Sequence, residues 1–245
     1  MTNKNIIELR NVAKHYKMGN EIVKALDCIN IEIEEGDFVA IVGPSGSGKS
    51  TSMNLTGSLD YSTKGNIYLD GEDIENLTES ELAQIRGKKI GFIFQQFNLI
   101  PNLTAKENVM LPMLFQNIDE DERGKKAEEI LKNVELEDRM NHYPNQLSGG
   151  QQQKVAIARA LANNPEVILA DEPTGNLDTK TGEKVLRFLG KLNKQGKTII
   201  IITHDSDLAK EHAKKIYSIR DGNIEWTEKK VGKIWKRKNI KNNCK

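Results

Sequence analysis

The sequence has few cysteines and aromatic residues and no long hydrophobic run, and each absence narrows the class of protein. Its two cysteines, Cys28 and Cys244, offer neither a disulfide framework nor the spacing of metal ligands, which is typical of a protein from a reducing compartment. The strongest apolar run, TIIIIT from Thr198 to Thr203, is far shorter than a membrane span. The first ten residues contain no apolar signal region. We therefore expect a globular protein with one large domain, or a core domain with a smaller subdomain.

Charge is nearly balanced over the chain but unevenly distributed. Residues 226–245 hold eight lysines and arginines against one acid, a net charge of +7, which leaves −6 of the overall +1 for the rest. An acidic body does not favour nucleic acid as a partner. In the basic tail, Val231, Ile234 and Trp235 fall at helical spacing among lysines. The tail is therefore either an amphipathic segment that contacts anionic lipid or a frayed, solvated terminus.

Apolar runs alternate with helical patterns along most of the chain. Near-continuous runs such as FVAIV, VILA and TIIIIT predict parallel strands covered on both faces. Strands alternating with helices predict an α/β sheet. From about residue 98 to 164 the strand pattern disappears, and apolar residues at helical spacing predict an inserted helical subdomain; they are Ala127, Ile130, Leu131 and Val134. The predicted α/β core is about 1–97 and 165–225, followed by the basic tail at 226–245.

A phosphate-binding loop follows the run FVAIV. The segment GPSGSGKST fits G-x-x-x-x-G-K-[ST] between a strand and a helical pattern. Glycines let the main chain wrap around phosphate oxygens, and its N–H groups together with the next helix dipole attract anions. We expect Lys49 to reach the β- and γ-phosphates and Ser50 to bind Mg²⁺. The predicted loop is Gly43, Pro44, Ser45, Gly46, Ser47, Gly48, Lys49, Ser50 and Thr51.

Polar residues at the ends of other apolar strands predict the hydrolytic part of the site. In VILADEP, Asp171 is expected to hold Mg²⁺ and Glu172 to act as general base on the attacking water. Gln95 follows IGFIF and His204 follows TIIIIT, so both belong at the same sheet edge as γ-phosphate sensors, with Gln95 also a metal ligand. The alternative is a solvated acidic pair and two surface caps.

A second candidate for phosphate binding lies a hundred residues further along the chain. In NQLSGGQQQ, Ser148 stands three residues before Gln151, the spacing of a capping box at a helix start. Gly149 and Gly150 between them leave the main chain exposed. A helix N-terminus of this kind attracts anions.

Taken in order, these motifs resemble those of the nucleotide-binding subunits of ABC transporters, over roughly Ile6 to Glu225. The matches are Gly43–Thr51 to Walker A, Gln95 to the Q-loop, Leu147–Gln151 to the signature, Val167–Glu172 to Walker B, Asn176–Asp178 to the D-loop and His204 to the switch histidine. The resemblance implies a P-loop NTPase core, α/β with a mixed sheet and an antiparallel β subdomain, and an inserted α-helical subdomain. It also implies an ATPase that uses ATP and Mg²⁺.

The resemblance implies that the working unit is a homodimer in the ATP-bound state. Ser148, Gly149, Gly150 and Gln151 would then bind the γ-phosphate held by Lys49 of the partner subunit, and Asp178 of the D-loop would lie near the same interface. The commoner family sequence at the D-loop is Ser-Ala-Leu-Asp, so Gly175 and Asn176 differ from it. Tyr16 matches the aromatic residue that stacks on adenine; the alternative for it is plain packing.

The stretch FQQFNLIPNLTAKENVMLP, Phe94 to Pro112, is similar to the ATPases of the lipoprotein-release and macrolide-export group. This likeness implies an ATP-hydrolysing subunit at the cytoplasmic face of the membrane, which powers a separate integral membrane permease in export, extrusion or mechanotransmission. The permease would dock near the stretch after Gln95. The alternative is an ABC ATPase without a permease. Translation factors of that kind carry two tandem cassettes and chromosome-associated ones a long coiled coil, and this sequence has neither.

Overall fold

The computed structural model describes residues 4–240, so Cys244 and the last part of the basic tail lie outside the described residues. The described chain forms two compact units. The first contains the residues up to Leu82 and again from Leu192, and the second spans Ala83–Lys191.

Strands and helices alternate along the chain. The strands are β1 (Asn5–Met18), β2 (Glu21–Glu34), β3 (Phe38–Val42), β4 (Lys64–Leu69), β5 (Glu72–Asp73), β6 (Ile90–Ile93), β7 (Val167–Asp171), β8 (Thr198–Thr203), β9 (Lys215–Arg220), β10 (Asn223–Val231) and β11 (Ile234–Asn239). The helices are α1 (Lys49–Thr56), α2 (Glu79–Lys89), α3 (Ala105–Leu114), α4 (Glu120–Asn133), α5 (Gly149–Leu161), α6 (Thr179–Lys194) and α7 (Ser206–His212).

The first unit contains an antiparallel sheet of four strands in the order β2-β1-β4-β5. Its longest pairing joins β1 and β2, in which Leu9 lies opposite Ile31. The alternating run INIEIEEG lies in β2, where Ile31 and Ile33 are buried and Glu32 between them is exposed. A half-exposed antiparallel strand has this period of two.

The first unit also contains the strands β11, β10, β9, β3 and β8 in that order. Strand β3 is parallel to both β8 and β9, while β10 is antiparallel to β9 and to β11. Every residue of β3 and β8 is buried. Burial on both faces explains why FVAIV and TIIIIT read as continuous apolar runs, and the prediction of covered parallel strands is confirmed for both.

The second unit pairs β6 with β7 in parallel and adds three helices in the region 98–164. A Cβ added at Gly91 of β6 would lie 2.2 Å from the carbonyl oxygen of Ala160, so α5 packs closely on this strand. In α4, Ala127 and Leu131 are fully buried, as the helical spacing predicted. No strand occurs between residues 98 and 164, all of which are described.

The predicted fold class, α/β with a mixed sheet, an antiparallel sheet and a helical subdomain, is confirmed. The boundaries proposed for the core and the helical subdomain stay a prediction. Among residues 4–240, no helix combines the length and apolar character needed to cross a membrane.

The basic tail is neither helical nor frayed over its described length, so the helical conformation and the frayed terminus were both wrong there, while the lipid contact stays a prediction. Strand β10 begins before Trp226 and pairs with β9, so it runs through the predicted tail boundary. Val231 and Ile234, three residues apart, are cross-strand partners on either side of a two-residue turn. Gly232 in this turn has φ 63°, a value that glycine adopts without strain and that hairpin turns require.

Contacts between aromatic and charged side chains hold this hairpin together. The Arg237 guanidinium lies 4.1 Å from the centre of the Trp226 ring and donates a hydrogen bond of 2.6 Å to the buried Glu228 carboxylate. The Lys230 ammonium lies 5.7 Å from the Trp235 ring centre. Helical spacing misled the sequence analysis because a tight turn brings residues three apart in the chain opposite each other.

The fully buried Asn108 side chain of α3 secures the segment before that helix. Its amide nitrogen donates to the carbonyl oxygens of Ile100, Leu103 and Thr104, and its oxygen accepts from the Ile100 N–H at 2.8 Å. Asn108→Ala leaves buried groups without partners, so we expect the free energy of unfolding to fall by about 1–3 kcal/mol in urea denaturation. The control is Asn141→Ala at an exposed site. Equal stability of the two variants would contradict the prediction.

Candidate functional site

The predicted phosphate loop connects β3 to α1 in the first unit. A Cβ added at Gly43 would lie 2.2 Å from the Ile219 carbonyl oxygen and 2.6 Å from Ser47 Oγ. Gly48, directly before α1, has φ 103°, and a Cβ there would lie 2.5 Å from the Ala25 carbonyl oxygen. Both positions therefore require glycine, for close approach and for left-handed backbone.

Lys49 lies across this loop. Its ammonium donates to the carbonyl oxygens of Gly43 and Pro44, each at 2.8 Å. Ser45, Gly46 and Ser50 are exposed, and Gly46 has open space around it. The loop thus presents exposed main chain and one cation at the start of a helix, an arrangement that attracts phosphate.

A turn that the sequence analysis missed supports the loop from behind. Between β9 and β10, Gly222 has φ 74° and donates its N–H to the Ser47 carbonyl oxygen at 2.9 Å. The Gly222 carbonyl oxygen accepts from the Asp27 N–H at 2.8 Å. The dipeptide Asp221-Gly222 was a turn signal in the sequence, but nothing local indicated which segment the turn would contact.

Tyr16 lies in β1 beside the phosphate loop. Its hydroxyl donates to the Asp60 carboxylate at 3.1 Å and also hydrogen-bonds Thr51, the last residue of the loop. Burial raises the pKa of Tyr16, and the hydrogen bond to Asp60 raises it further. The side chain remains 36% exposed. The stacking of Tyr16 on adenine stays a prediction. The structure shows only that Tyr16 is hydrogen-bonded to Thr51, at the end of the phosphate loop.

His204 follows β8 and is exposed. The register of the parallel pair places Val42 of β3 opposite Thr203 of β8, so Gly43 and His204 leave neighbouring strands at the same edge. Asp205 accepts hydrogen bonds from the N–H groups of Asp207 and Leu208 and so begins α7. This capped turn fixes the main chain directly after His204.

In the second unit, the register of parallel strands places Gln95 near Asp171 and Glu172. Ile93 of β6 lies opposite Ala170 of β7, so Gln95 and Glu172 each leave their strand two residues later at one edge. A Cβ added at Gly175 would lie 3.0 Å from Gln95 Nε2 and 3.4 Å from the Glu172 carbonyl oxygen. Asp171 is the last residue of β7.

Glu172 has φ 43°, in the left-handed region that non-glycine residues rarely adopt. Such a conformation costs on the order of 1–3 kcal/mol and persists where the surroundings enforce it, often at functional sites. Here Gly175 donates its N–H to the Glu172 carbonyl oxygen at 3.0 Å. The buried Gln153 of α5 donates to the Pro173 carbonyl oxygen at 2.9 Å. These bonds hold the turn that carries the glutamate.

The signature segment forms the start of α5, and its predicted capping box is confirmed. Ser148 Oγ accepts from the Gln151 N–H at 3.4 Å, and Gln151 Oε1 accepts from the Ser148 N–H at 2.8 Å. Gln151 is therefore engaged in the cap itself. Ser148 and Gly149 are exposed. The N–H groups of a first helical turn have no partner within the helix, so this end can accept an anion.

Asp178 also begins a helix. Its carboxylate accepts from the Thr181 N–H at 3.1 Å, and hydrogen bonds from Thr181 lower the pKa of Asp178. Thr181 lies against the signature, because a Cβ added at Gly150 would lie 2.9 Å from its methyl carbon. The D-loop aspartate thus orders the chain beside Gly150, and its predicted interface role stays a prediction.

Arg159 of α5 is a second residue that the sequence analysis missed. Its guanidinium donates to the carbonyl oxygens of Phe97 and Asn98, at 2.9 and 2.6 Å, and burial lowers the pKa of Arg159. A charged residue among the apolar positions of a helix was the available signal, since buried charges need partners. Arg159 fixes the segment that follows Gln95.

Comparisons with known proteins agree with this arrangement. The model of the ABC transporter family matches residues 26–175. The ABC transporter ATP-binding protein MJ0796 of Methanocaldococcus jannaschii is 56% identical over 93% of this chain and 98% of its own length. The macrolide export ATP-binding/permease protein MacB of Bdellovibrio bacteriovorus is 47% identical over 91% of this chain, which corresponds to 34% of MacB.

Among solved structures, the dimeric post-hydrolysis state of the MJ0796 cassette bound to ADP and Pi is similar to this chain. The TM-score is 0.85 at 55% identity, covering 92% of this chain and 99% of the other. The likeness therefore extends over the fold as well as the motifs. The chain belongs to the ABC transporter family, as one of its ATP-binding ATPase subunits.

Proposed function

We propose that two copies of this chain close around two ATP molecules, and that closing and reopening drive a separate integral membrane permease in export, extrusion or mechanotransmission. The observation that carries the proposal is the exposed, capped start of α5 at Ser148 and Gly149. An anion-attracting helix end that faces solvent is suited to a phosphate brought by another molecule. The dimeric MJ0796 structure, with ADP and Pi, supports the same assembly for this chain.

Each proposed site combines the phosphate loop of one subunit with the signature of the other. Lys49, which now bonds two loop carbonyls, would exchange them for phosphate oxygens, a stronger charge-assisted contact. Ser148, Gly149 and Gly150 of the partner subunit would then bind the γ-phosphate. Closure depends on ATP because the γ-phosphate contacts both subunits, and its release lets them separate.

Glu172 is the proposed general base for the attacking water. Its left-handed backbone and the hydrogen bonds of the turn after it fix the main chain from which the carboxylate extends. Gln95 lies beside the same turn and His204 ends the strand next to the phosphate loop, as groups that orient water and γ-phosphate. Tyr16 provides an exposed ring for adenine stacking next to Thr51.

The proposed donors for Mg²⁺ are all oxygen atoms. Ser50 supplies a hydroxyl exposed on the first turn of α1, Gln95 an amide oxygen and Asp171 a carboxylate, and Mg²⁺ prefers such hard oxygen ligands. Among residues 4–240, no group of three or more His, Cys, Asp and Glu side chains could hold a metal alone. When bound, Mg²⁺ neutralises charge on the β- and γ-phosphates.

A permease partner at the membrane is supported by one of the relatives, and we propose the cytoplasmic face as the location of this chain. MacB combines an ATP-binding part, similar to this chain, with a permease in one protein. The segment after Gln95, held by Arg159 and Asn108, offers a rigid surface for a permease contact. Leu114 and Phe115 expose apolar side chains at the end of α3 in the same unit.

Lipid contact by the basic hairpin, β10 and β11, is a further part of the proposal. Its exposed apolar tip, Val231 and Ile234, is surrounded by lysines, and basic segments with apolar residues bind anionic membrane surfaces. The hairpin presents these residues from a fixed turn rather than from a helix.

Replacement of the general base should separate hydrolysis from binding. Glu172→Gln should lower the ATP hydrolysis rate by ~10²–10⁴, because it removes the proton acceptor. ATP binding should persist, and a closed dimer should accumulate in size-exclusion chromatography with ATP. The exposed Glu137→Gln serves as control and should hydrolyse ATP normally. A Glu172→Gln protein that stays monomeric with ATP would count against the shared site.

Mixing two inactive variants tests the sharing directly. Lys49→Ala removes the phosphate-loop cation and Ser148→Arg blocks the signature, so each homodimer has two defective sites. A mixed dimer has one intact site, formed by Lys49 of one subunit and Ser148 of the other. We expect mixing to restore ATP-dependent association and part of the hydrolysis, measured by phosphate release. If the mixture stays as inactive as its components, each site lies within one subunit.

The lipid contact can be tested without disturbing the ATPase site. Substituting Lys229, Lys233 and Lys236 by glutamine should abolish co-sedimentation with phosphatidylserine vesicles, because each basic residue near such a surface contributes about 1 kcal/mol. Binding to neutral phosphatidylcholine vesicles should be absent for both proteins. Lys88→Gln, at an exposed site of the second unit, is the control. Equal binding of the triple variant and the control would refute the lipid contact.

A further inference from the structure

Gly175 and Asn176, the two D-loop residues that differ from the commoner family sequence, both lie against Gln95. Asn176 Nδ2 donates a hydrogen bond of 2.8 Å to the Gln95 carbonyl oxygen. A Cβ added at Gly175 would lie 3.0 Å from Gln95 Nε2 and 3.5 Å from its Cδ. One residue therefore binds the main chain of Gln95 and the other leaves room for its side chain.

The commoner residues would alter both contacts. Serine at position 175 would bring a Cβ to 3.0 Å from Gln95 Nε2, so the Gln95 amide would shift by a few tenths of an ångström. Alanine at position 176 has no donor for the Gln95 carbonyl oxygen. The two departures are complementary. Gly175 leaves space for the Gln95 side chain, and Asn176 hydrogen-bonds the Gln95 main chain.

The same turn carries Glu172. Gly175 bonds the Glu172 carbonyl oxygen, and Leu177 bonds the Thr174 carbonyl oxygen at 3.1 Å, so residues 172–177 form one hydrogen-bonded turn. Asn176 joins this turn to Gln95, and Arg159 holds the chain two and three residues later. Gln95 is thereby held between two anchors, one of which belongs to the turn of Glu172.

We propose that Gly175 and Asn176 are positioning residues, which hold the Gln95 side chain in a fixed position relative to Glu172 for ATP hydrolysis. This rests on the proposed roles of Gln95 and Glu172. Both D-loop residues lie against Gln95, so the proposed effect is on the hydrolytic step.

The test is steady-state ATP hydrolysis by the full chain. Asn176→Ala should lower kcat about 2- to 10-fold, the worth of one hydrogen bond, and leave KM for ATP unchanged. The isosteric Asn176→Asp, which places an acceptor against the Gln95 carbonyl oxygen, should lower kcat at least as much. Asn141→Ala, at another exposed site of the second unit, is the matched control. An unchanged kcat for Asn176→Ala overturns the proposal.

The glycine has its own control. Gly175→Ala should lower kcat by crowding Gln95, whereas Gly190→Ala, where an added Cβ meets nothing within 4 Å, should not. Equal activity of these two variants overturns the role of Gly175. Thermal melting of every variant, with Asn141→Ala as reference, tests whether the fold is retained.

A double-mutant cycle separates positioning from a merely structural role. In a Gln95→Ala background the main-chain bond to Asn176 persists but the positioned side chain is gone, so Asn176→Ala should lower kcat little further. If the two losses multiply instead, Asn176 does not act through Gln95 and the proposal fails. Glu172→Gln is assayed in parallel. If that variant hydrolyses ATP at the normal rate, the proposed function itself is wrong, independently of Asn176.

Discussion

The burial of parallel strands on both faces is the constraint on which the rest of this structure depends. Strands β3 and β8 contain no residue that reaches solvent, so polar side chains can appear only where these strands end. Their parallel pairing brings both ends to one edge, with Gly43 beside His204. The pair β6 and β7 does the same for Gln95 and Glu172. Polar chemistry collects at these edges because the strands themselves exclude it.

At each of these sheet edges, close contacts between main-chain segments shape the candidate site. Gly43 and Gly48 admit neighbouring carbonyls that any side chain would displace, and the turn at Gly222 supports the phosphate loop from behind. In the second unit, the buried amide of Gln153 and the half-buried guanidinium of Arg159, both on α5, hold the turn after Glu172 and the segment after Gln95. Hydrogen bonds of buried polar groups, and those of charged groups, are costly to break.

Two kinds of residue were predicted with different success. The phosphate loop, the capping box at Ser148 and the buried face of α4 depend on residues within about a turn of each other, and the sequence pattern predicted them. The tail was predicted wrongly because Val231 and Ile234 have the same spacing in a helix turn as across a tight hairpin. Arg159, and the contact of Asn176 with Gln95, were missed because the bonded partners lie 62 and 81 positions away.

By itself, the sequence determined which chemical groups are present and how each loop or helix end is built, since glycine, lysine and capping residues act on their immediate neighbours. It also identified the family, because each motif is a short segment of sequence and the order of the motifs can be read along the chain. The tertiary structure alone decided which distant segments meet: Gly222 with Ser47, Asn176 with Gln95, and the tail with β9. Such contacts depend on strand order and on complementary shape, and no local pattern encodes either.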